Sequence, residues 1–431
     1  MRFRSYPSHH ERRKYKAGWE EISERSCHKC GNGELMSFLH AIGRFALDLT
    51  ALLPEVTGVD RYMIQLVIYL GKVDQQNQYR IYVNWEDRNR FCGLLPGNFR
   101  VVPVSFRPRP IRLLFQQIML PMMAEWWSAD VVHSPSFLMP MVRGRQHHVL
   151  TVHDMTSFTL PHHHIALRRS LPYRRLLLSS IRRAHLVTVP SRSTQEDVHH
   201  WVPDLPHSRV RVIPGGIGEE FTTYSQDSIQ KALKRMAIPE SYILYVGTIE
   251  PRKNLNILIQ GYKELITMRG TKEHLVLIGR LGWGYDDLLK EIDTPELRDR
   301  VHVPGYVHQK DLPLLYAGAT LFVYPSLQEG FGFPPLEAMA CGVPTISSQT
   351  SSLVENLQGA AKLVPPNDLE SLVEAMYQLL HNPTSRARYR EAGFVRASKF
   401  RWEETAGKML QCYQEAAFGR MSNSAMSYDA T

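Results

Sequence analysis

The 431-residue sequence contains little cysteine and no long apolar run. Its five cysteines, odd in number and mostly far apart, exclude a disulfide-stapled scaffold and favour a reducing compartment. Even the apolar stretch Ile111–Trp127 is interrupted by Arg112, Gln116, Gln117 and Glu125, so no segment reaches the ~20 apolar residues needed to cross a bilayer. We therefore expect neither a small disulfide-rich domain nor a transmembrane protein.

The composition is that of an ordinary globular protein. Hydrophobic residues make up 43% of the chain and charged residues 22%, which supplies a core and excludes a disordered or collagen-like chain. The formal net charge of +9 is a moderate basic excess, and by itself it does not distinguish nucleic acid, phosphate or membrane as the partner.

The chain divides into a tail and two halves. Residues 1–43 carry scattered basic groups without apolar periodicity and lack the apolar centre of a secretory signal, so they predict a poorly ordered basic tail. Residues 44–222 and 223–400 predict two αβ domains joined near the Pro-Gly-Gly turn at 214–216. Residues 401–431 predict a helix that returns toward the first domain, followed by a short tail.

Short apolar segments alternate with longer amphipathic ones in both halves, which indicates doubly wound parallel sheets. Because ligands bind beyond the carboxyl ends of such strands, we expect the site in a cleft between facing strand ends. In the second half the predicted strands are 242–246, 274–278, 321–324, 344–347 and 361–364, and the predicted helices are 255–268, 335–341 and 368–380. In the first half the predicted strands are 44–49, 80–83, 131–133, 149–152 and 186–189.

The segment EGFGFPPLE, residues 329–337, is the strongest local signal. Its two glycines allow backbone N–H groups to approach a ligand closely, and Pro335 suits the first position of a helix. The N-terminus of that helix would seat a phosphate, with Glu337 in its first turn and Glu329 just before it. A first-turn Glu can also stabilise a helix without any function, but this alternative leaves Glu329 and the glycines unexplained.

The segment YVGTIEPRKN, residues 245–254, is a second candidate phosphate site. A predicted strand ends at Gly247, Arg252 and Lys253 are adjacent cations, and Asn254 could cap the following helix. Arginine offers a bidentate fork to phosphate oxygens and lysine a point charge, whereas the alternative is a solvated surface pair. Since both segments follow strands of one predicted sheet, together they indicate a diphosphate whose flanking hydroxyls are bound by carboxylates.

These two segments, with LIGRLGWG at 277–284 and Val354-Glu355, resemble the family-4 retaining glycosyltransferases of GT-B fold. Weaker matches are TGVDRY at 57–62, Val152-His-Asp154 and VIPGG at 212–216, and the likeness spans about Arg44 to Ala417. The resemblance implies two facing Rossmann-like domains with parallel sheets and an interdomain cleft. The first domain would lie on the acceptor side, and the second would bind the nucleotide sugar.

The resemblance implies catalytic roles for four residues. Lys253 and Arg252 would bind the donor diphosphate and stabilise it as the leaving group, Glu329 would position the sugar, and His153 would face it from the first domain. In the front-face substitution proposed for the family, the acceptor hydroxyl attacks on the leaving-group side and the departing phosphate takes its proton. No enzymatic nucleophile is then required, and a covalent intermediate on Glu329 is the alternative.

The remainder of the donor site follows from the same likeness. Glu337 would bind the ribose hydroxyls, Val307 would lie in the loop that packs on the base, and Gly58 would lie over the phosphates. No metal or other cofactor is expected, since such enzymes use none and no Asp-x-Asp occurs in the chain. Cationic side chains and a helix end would stabilise the charge instead. The predicted donor-binding set is Gly58, Arg252, Lys253, Val307, Glu329, Gly330, Phe331, Gly332, Phe333 and Glu337.

Three positions depart from the family pattern. Asp60 stands where many relatives have a small residue, and a carboxylate near a diphosphate would repel it unless it turns toward the acceptor. Thr248 stands where some relatives place an arginine, so Arg252 and Lys253 would carry more of the phosphate charge. Gly215 and Gly218 replace a frequent Asn and Asp, which we expect to leave catalysis unchanged.

The implied activity is the transfer of a hexose from a nucleotide sugar to a glycan or polyprenyl-linked acceptor in surface polysaccharide biosynthesis. Mannose from GDP-mannose is the first expectation, because the EPRKN and EGFGFPPLEAM segments are similar to those of mannosyltransferase-like bacterial members. Two alternatives stay open: a nucleotide-sugar epimerase or hydrolase of the same fold, and a non-catalytic nucleotide-sugar-binding scaffold. A dinucleotide dehydrogenase is disfavoured because no Gly-x-Gly-x-x-Gly follows the first predicted strand.

Weaker signals concern location and metal. Residues 165–183 contain paired arginines among apolar residues, which suits either peripheral contact with an anionic membrane or a helix packed on its own sheet. We expect a cytoplasmic protein, with the inner face of the cell membrane as its place of peripheral contact, and no nucleic-acid partner. Cys27 and Cys30 have the spacing of half a zinc site without a second pair, and His162 to His164 are expected to be solvated.

Overall fold

The computed structural model describes residues 42–105, 109–142, 144–163 and 167–419, and they contain two parallel β-sheets. The first sheet is formed by β1 (Arg44–Asp48), β2 (Gln78–Asn84), β3 (Phe99–Val104), β4 (Val131–Ser134), β5 (His147–Thr151), β6 (Leu186–Val189) and β7 (Val210–Val212). The second sheet is formed by β8 (Tyr242–Val246), β9 (His274–Ile278), β10 (Val301–Gly305), β11 (Leu321–Tyr324), β12 (Thr345–Ser348) and β13 (Lys362–Val364).

Both sheets have the doubly wound strand order. The first runs β3-β2-β1-β4-β5-β6-β7 and the second β10-β9-β8-β11-β12-β13, with every neighbouring pair parallel. The order reverses between β1 and β4 and between β8 and β11, and the crevice beyond such a reversal is where ligands bind in open parallel sheets. The predicted α/β class with two parallel sheets is confirmed.

Helices connect the strands and cover both sheets. In the first half these are α1 (Gly58–Val73), α2 (Arg109–Leu114), α3 (Leu120–Trp126), α4 (Thr156–Thr159), α5 (Leu167–Arg183) and α6 (Arg192–Trp201), with a π turn at Phe115–Met119 and 3₁₀ turns at Trp85–Phe91, Pro161–His163 and His207–Arg209. In the second half they are α7 (Gln226–Arg235), α8 (Leu255–Met268), α9 (Asp286–Ile292), α10 (Leu312–Gly318), α11 (Phe333–Ala340), α12 (Ser351–Leu357), α13 (Leu369–His381), α14 (Pro383–Ala397) and α15 (Trp402–Phe418), with a 3₁₀ turn at Pro251–Lys253.

The strands form because their sequences suit burial on both faces. Every residue of β8 is buried, and so is every residue of β11, β4 and β6. Helices on both sides of a parallel sheet require such continuous apolar runs in place of the alternating pattern of a half-exposed strand. The strands β6, β8, β9 and β11 begin and end at the predicted residues, and so does the helix α8.

The last helix, α15, packs against α1 of the first half. Trp402 is buried at its start, with its ring centroid 5.8 Å from that of Tyr62 and 6.3 Å from that of Tyr69. Gly216 is required here, since a Cβ at this position would lie 2.3 Å from the backbone nitrogen of Trp402. The domain boundaries at 222 and 400 stay predictions.

Three strands and one helix start were not predicted correctly. β3, β7 and β10 were missed because each is short or contains a proline, Pro103 in β3 and Pro304 in β10. The helix predicted from Pro335 begins two residues earlier, at Phe333, because Gly332 with φ 88° can end the preceding loop and both prolines are tolerated in a first turn.

Among the described residues no helix is long and apolar enough to span a membrane. In the same part of the chain Cys92, Cys341 and Cys412 are free thiols. The predicted tail at 1–43, except its last two residues, lies outside the described residues, as do Cys27, Cys30, His164 and the end of the chain from 420.

Candidate functional site

A cleft of about 1050 Å³ opens between the carboxyl ends of the two sheets. Its walls are the segments that follow β1, β4, β5 and β6 on one side and β8, β9, β10 and β11 on the other. All the predicted site residues line this one cleft: Gly58, His153, Arg252, Lys253, Val307, Glu329, Gly330, Phe331, Gly332, Phe333 and Glu337. The two loops recognised in the sequence therefore do converge, because β8 and β11 are neighbours at the reversal point of the second sheet.

The centre of the second wall is a buried cluster of ions around Glu329. Its Oε1 accepts hydrogen bonds from the Lys253 ammonium, from the Tyr324 hydroxyl at 3.0 Å and from the Ser326 hydroxyl at 2.6 Å. Its Oε2 lies 3.1 Å from Nη1 of Arg252. Burial alone would raise the pKa of Glu329, but the charges of Arg252 and Lys253 and these hydrogen bonds lower it to about 2.

The two cations of this cluster are thus already neutralised. Arg252 also pairs with Glu250 at 2.8 Å, and these carboxylates raise the pKa of Arg252 against the effect of burial. Burial and the charge of Arg252 lower the pKa of Lys253, while Glu329 acts in the opposite direction. Two cations and two carboxylates make the predicted positive site close to neutral before any ligand is considered, which the sequence motifs did not indicate.

The backbone of the RKN segment differs in one respect from the prediction. Arg252 and Lys253 lie in the 3₁₀ turn that follows β8, and Asn254 occupies the N-cap position of α8 with a left-handed φ of 55°. The side chain of Asn254 does not cap this helix, however, since its Nδ2 donates to the carbonyl oxygen of Pro366 at 2.7 Å. Its amide therefore fixes the turn to the loop after β13.

The EGFGF loop approaches the first half very closely. A Cβ on Gly330 would lie 1.7 Å from the carbonyl oxygen of His153, so only glycine fits there. Among the hydrogen bonds of the described residues, none is donated by the backbone N–H groups of Gly330, Phe331 or Gly332. These groups stay free for a ligand, while the Phe333 ring lies parallel to Trp402, with ring centroids 6.2 Å apart.

The helix end predicted to seat a phosphate has fewer donors than expected. Because α11 begins at Phe333, its second and third residues are Pro334 and Pro335, and neither has an N–H group. Glu337 is then the fifth residue of α11, outside its first turn. The prediction that Glu337 lies in the first turn was wrong, and the free donors lie in the preceding glycine loop instead.

Glu337 is held from the first half by a residue that the sequence did not single out. Arg61 of α1 donates from Nη1 to Oε1 of Glu337, and the Tyr316 hydroxyl donates to Oε2 at 3.0 Å. Glu337 is only 2% exposed, and the Arg61 guanidinium also lies 5.2 Å from the Phe221 ring centroid. The sequence signal was present, since Arg61 lies one helical turn after Gly58 in the TGVDRY segment.

His153 is a neutral, buried side chain at the other wall. Its Nε2 donates to the Pro135 carbonyl oxygen at 2.8 Å, so Nδ1 is the unprotonated nitrogen. Burial lowers the pKa of His153, against weaker effects of that carbonyl and of Asp154. Tyr62 and Phe137 contact the ring edge to face. The imidazole thus offers an acceptor at Nδ1 but brings no positive charge at neutral pH.

Asp60, which departs from the family pattern, does not face the cleft as a free carboxylate. Its Oδ2 accepts from the backbone N–H and hydroxyl of Thr57 at 2.7 and 2.6 Å, and its Oδ1 accepts from the Leu53 N–H at 3.1 Å. Thr57 in turn caps α1, which completes a capping box. Asp60 therefore fixes the loop that carries Gly58.

Two further side chains of the second half, Gln328 and Glu355, form hydrogen bonds with the first half. Gln328 donates to Asp197 at 3.0 Å and accepts from the Thr159 hydroxyl. Glu355, quoted above only as part of a motif, accepts from the backbone N–H groups of Arg192 and Ser193 at the start of α6. No group of three or more metal-ligating side chains occurs in the described part of the chain.

The basic segment 165–183 is resolved into two faces where the structure describes it. Pro172, Tyr173 and Leu176 of α5 line the cleft, and Arg174 lies 4.5 Å from the Phe158 ring centroid. Arg182 lies 3.4 Å from Asp204. A more continuous exposed surface, which we name the apolar row, lies on α2, the π turn and α3: Ile111, Leu114, Ile118, Met122 and Trp126, between 47% and 83% exposed.

Comparison with known proteins agrees with this architecture. Residues 228–396 match the model of glycosyl transferases group 1, and residues 56–221 match that of glycosyltransferase family 4. The fold is similar to sucrose-phosphate synthase from Thermosynechococcus elongatus, with a TM-score of 0.69 and 21% identity over 86% of this chain and 98% of that one. It is also similar to WaaG, a glycosyltransferase involved in lipopolysaccharide biosynthesis, with a TM-score of 0.67 and 16% identity over 87% and 100% of the two chains.

Curated relatives include bacterial mannosyltransferases. The chain is 28% identical to O-antigen chain mannosyltransferase B of Escherichia coli over 83% of this chain and 96% of the relative. It is 32% identical to the serotype-specific mannosyltransferase WbdA of Escherichia coli over 59% of this chain, which spans 31% of that longer protein. One family model matches each half of the chain, and the two halves meet at one cleft. The chain therefore belongs to the glycosyltransferases, as a member of family 4 with the GT-B fold.

Proposed function

We propose that the protein transfers a hexose with retention from a nucleotide sugar to a growing surface glycan, and that the donor is GDP-mannose. The observation that carries the proposal is the meeting of Lys253, Glu329 and the free N–H groups after it with His153 in one cleft. The mannosyltransferase names of the relatives support the choice of sugar. The finer assignments below rest on this proposal.

The donor would lie along the second wall. Its diphosphate would meet Arg252 and Lys253, its sugar the glycine loop at 330–332, and its base the segment around Val307. The ribose would approach Glu337, whose two oxygens retain acceptor capacity beside Arg61 and Tyr316. Cations and backbone donors would stabilise the departing diphosphate without a metal.

The environment of Glu329 supports a positioning role over a nucleophilic one. Four donors already occupy its oxygens, from Lys253, Tyr324, Ser326 and Arg252. To attack the sugar, the carboxylate would have to break these hydrogen bonds. The donors would then be buried without partners, which is energetically costly. The acceptor hydroxyl would therefore attack from the leaving-group side, and a phosphate oxygen would take its proton.

The apolar row supports an acceptor that is bound to lipid. It is spaced at three or four residues along 111–126, and Arg112 and Leu113 of the same helix line the cleft. A row of exposed apolar side chains with arginines alongside suits a helix lying in the interface of an anionic membrane. We propose peripheral contact with the inner face of the membrane through this row together with α5, which shifts the contact beyond the predicted 165–183.

One assay separates the candidate activities. The protein is incubated in EDTA with GDP-mannose and other nucleotide sugars, with and without a polyprenyl-linked glycan. Nucleotide release that depends on acceptor and is largest with GDP-mannose is expected. Sugar conversion or hydrolysis without acceptor would favour the epimerase or hydrolase, and binding without turnover would favour the scaffold.

Membrane contact is tested on vesicles of phosphatidylcholine with and without phosphatidylglycerol. Sedimentation with the anionic vesicles is expected for the wild type and should fall about tenfold for Met122→Glu, since a charge in the interface costs more than ~1 kcal/mol. Met268→Glu on α8 is the matched control, because Met268 is also exposed, at 78%, but lies on the second half. Equal binding by both variants would exclude the apolar row.

A further inference from the structure

The charges that line the cleft do not favour a diphosphate as strongly as the motifs suggest. Five cationic and six carboxylate side chains line it: Arg61, Arg112, Arg252, Lys253 and Arg280, with Glu55, Asp60, Asp154, Glu250, Glu329 and Glu337. Arg252 and Lys253 are paired with Glu250 and Glu329, and Arg61 is paired with Glu337. Binding of a diphosphate is favoured by a cation whose charge is not already compensated.

Arg280 is that cation. It follows Gly279 at the carboxyl end of β9, the neighbour of β8. Across the described ranges 42–105, 109–142, 144–163 and 167–419, its side chain makes none of the hydrogen bonds, ion pairs or ring contacts found for the other arginines of this wall, and its Nε is buried without a partner. A buried guanidinium nitrogen without a partner is costly, so a ligand that accepts from it is favoured.

The backbone places Arg280 beside the phosphate loop. A Cβ on Gly279 would lie 1.9 Å from the Gly247 carbonyl oxygen, so the two strand ends are in direct contact. The Ile249 N–H donates to the Arg280 carbonyl oxygen at 2.9 Å, and the Gly282 N–H returns to the Ile249 carbonyl oxygen at 2.9 Å. Arg280 is thereby fixed next to Thr248, which stands where the resemblance places an arginine in some relatives.

We propose that Arg280 binds the donor diphosphate and supplies the positive charge that Thr248 does not. The inference rests on the proposed nucleotide-sugar activity and adds a residue to its donor site. The guanidinium would donate to a phosphate oxygen from the β9 side, while Lys253 and Arg252 donate from the β8 side. The diphosphate would then be held between two neighbouring strand ends.

The test is calorimetric binding of GDP, UDP and guanosine to the full-length protein and to Arg280→Gln. Loss of one charge-assisted hydrogen bond in Arg280→Gln should lower the affinity for GDP and UDP by about 10- to 100-fold. The affinity for guanosine should change by less than about twofold. Arg280→Lys should fall between the two proteins, because lysine keeps the charge without the fork. The affinity of Arg280→Lys for GDP should depend on salt as strongly as that of the wild type, whereas the affinity of Arg280→Gln should depend on salt less.

Arg298→Gln is the matched control, since it removes an arginine of the same half that is 59% exposed and outside the cleft lining. It should bind like the wild type, and thermal unfolding should show all variants folded. Equal losses for GDP and guanosine would assign Arg280 to the base and overturn the proposal, as would unchanged binding. If neither GDP nor UDP bound the wild type, the proposed function itself would fail, and the inference with it.

Discussion

The two walls of the cleft are built from different chemistry. The second wall presents fixed charges, with Lys253, Arg252 and Glu329 locked in one buried cluster. The first wall presents a neutral imidazole from His153 and the aromatic Tyr173 of α5, and its charged groups on α1, Arg61 and Asp60, are each held by a partner. The ion cluster of the second wall is therefore organised before a ligand arrives, whereas the centre of the first wall offers mainly shape and uncharged surface.

Contacts across the cleft are also unequal in kind. Charged groups join the two halves through Arg61 with Glu337 and through Glu355 with the start of α6. Elsewhere the closest approach is between backbone atoms, where Gly330 meets His153, and Gln328 adds hydrogen bonds to Asp197 and Thr159. A change in the fixed charges should therefore affect chemistry most, a change in the close approach should affect geometry, and a change in the first wall's loop should affect stability.

Removal of Lys253 should have the largest effect. Lys253→Ala takes away a cation that would stabilise the departing diphosphate, and the loss of such a group lowers kcat by about 10²- to 10³-fold. Steady-state kinetics with saturating donor gives the value. Lys263→Ala, at a half-exposed lysine of α8 paired with Glu291, is the control and should stay near wild type. Near-normal kcat in Lys253→Ala would exclude the leaving-group role.

Gly330→Ala should lower activity by about 10²-fold through geometry. The new Cβ would overlap the His153 carbonyl oxygen, so the walls must move apart, and a displacement of about 1 Å is enough for such a loss. The measurement is kcat/KM together with thermal unfolding. Gly97→Ala is matched, since nothing lies within 4 Å of a Cβ there and its φ is not in the left-handed region. Full activity of Gly330→Ala would mean that the close approach is not needed for turnover.

The ion cluster around Glu329 should make the free energy of unfolding depend on pH in the acid range. The pKa of Glu329 falls from an ordinary 4.5 to about 2, so its contribution of roughly 3 kcal/mol is fully present above about pH 5 and is lost as the pH falls toward 2. Urea unfolding across this range should show a steeper acid loss for the wild type than for Glu329→Gln. Parallel curves for the two proteins would contradict the low pKa.

Arg61→Gln should raise the KM for the donor about tenfold and change kcat less. It leaves the buried Glu337 without its cation, and a buried carboxylate without a partner loses both fixed orientation and stability. Arg61→Lys should restore part of the KM. To separate ribose contact from simple destabilisation, GDP is compared with 2′-deoxy-GDP, since the preference for ribose should shrink only if Arg61 orients Glu337.

The sequence predicted the second half better than the first for a physical reason. Glycines, prolines and adjacent charges at fixed spacing are required wherever a backbone turns and a charged ligand is bound, so Glu329 and Lys253 could be recognised from their neighbours. The spacing of Arg61 after Gly58 was visible, but its pairing could not be assigned in this way, because Glu337 is far away in the chain and only the facing of two sheets brings them together. The same holds for the neutralisation of Arg252, which depends on distances that spacing does not encode.

Asp60→Asn should have the smallest effect. It tests whether the Asp60 carboxylate affects binding of the diphosphate. If Asp60 serves the capping box alone, the amide loses one acceptor toward Thr57 or Leu53, stability falls by ~1 kcal/mol and GDP affinity stays within about threefold. If the carboxylate instead repelled the diphosphate, GDP would bind the variant about tenfold more tightly. Thr57→Ala is the control, since it breaks the same box without changing charge. Equal stability losses in the two variants with unchanged GDP binding would leave Asp60 a purely structural residue and exclude a repulsive effect of its charge on the donor.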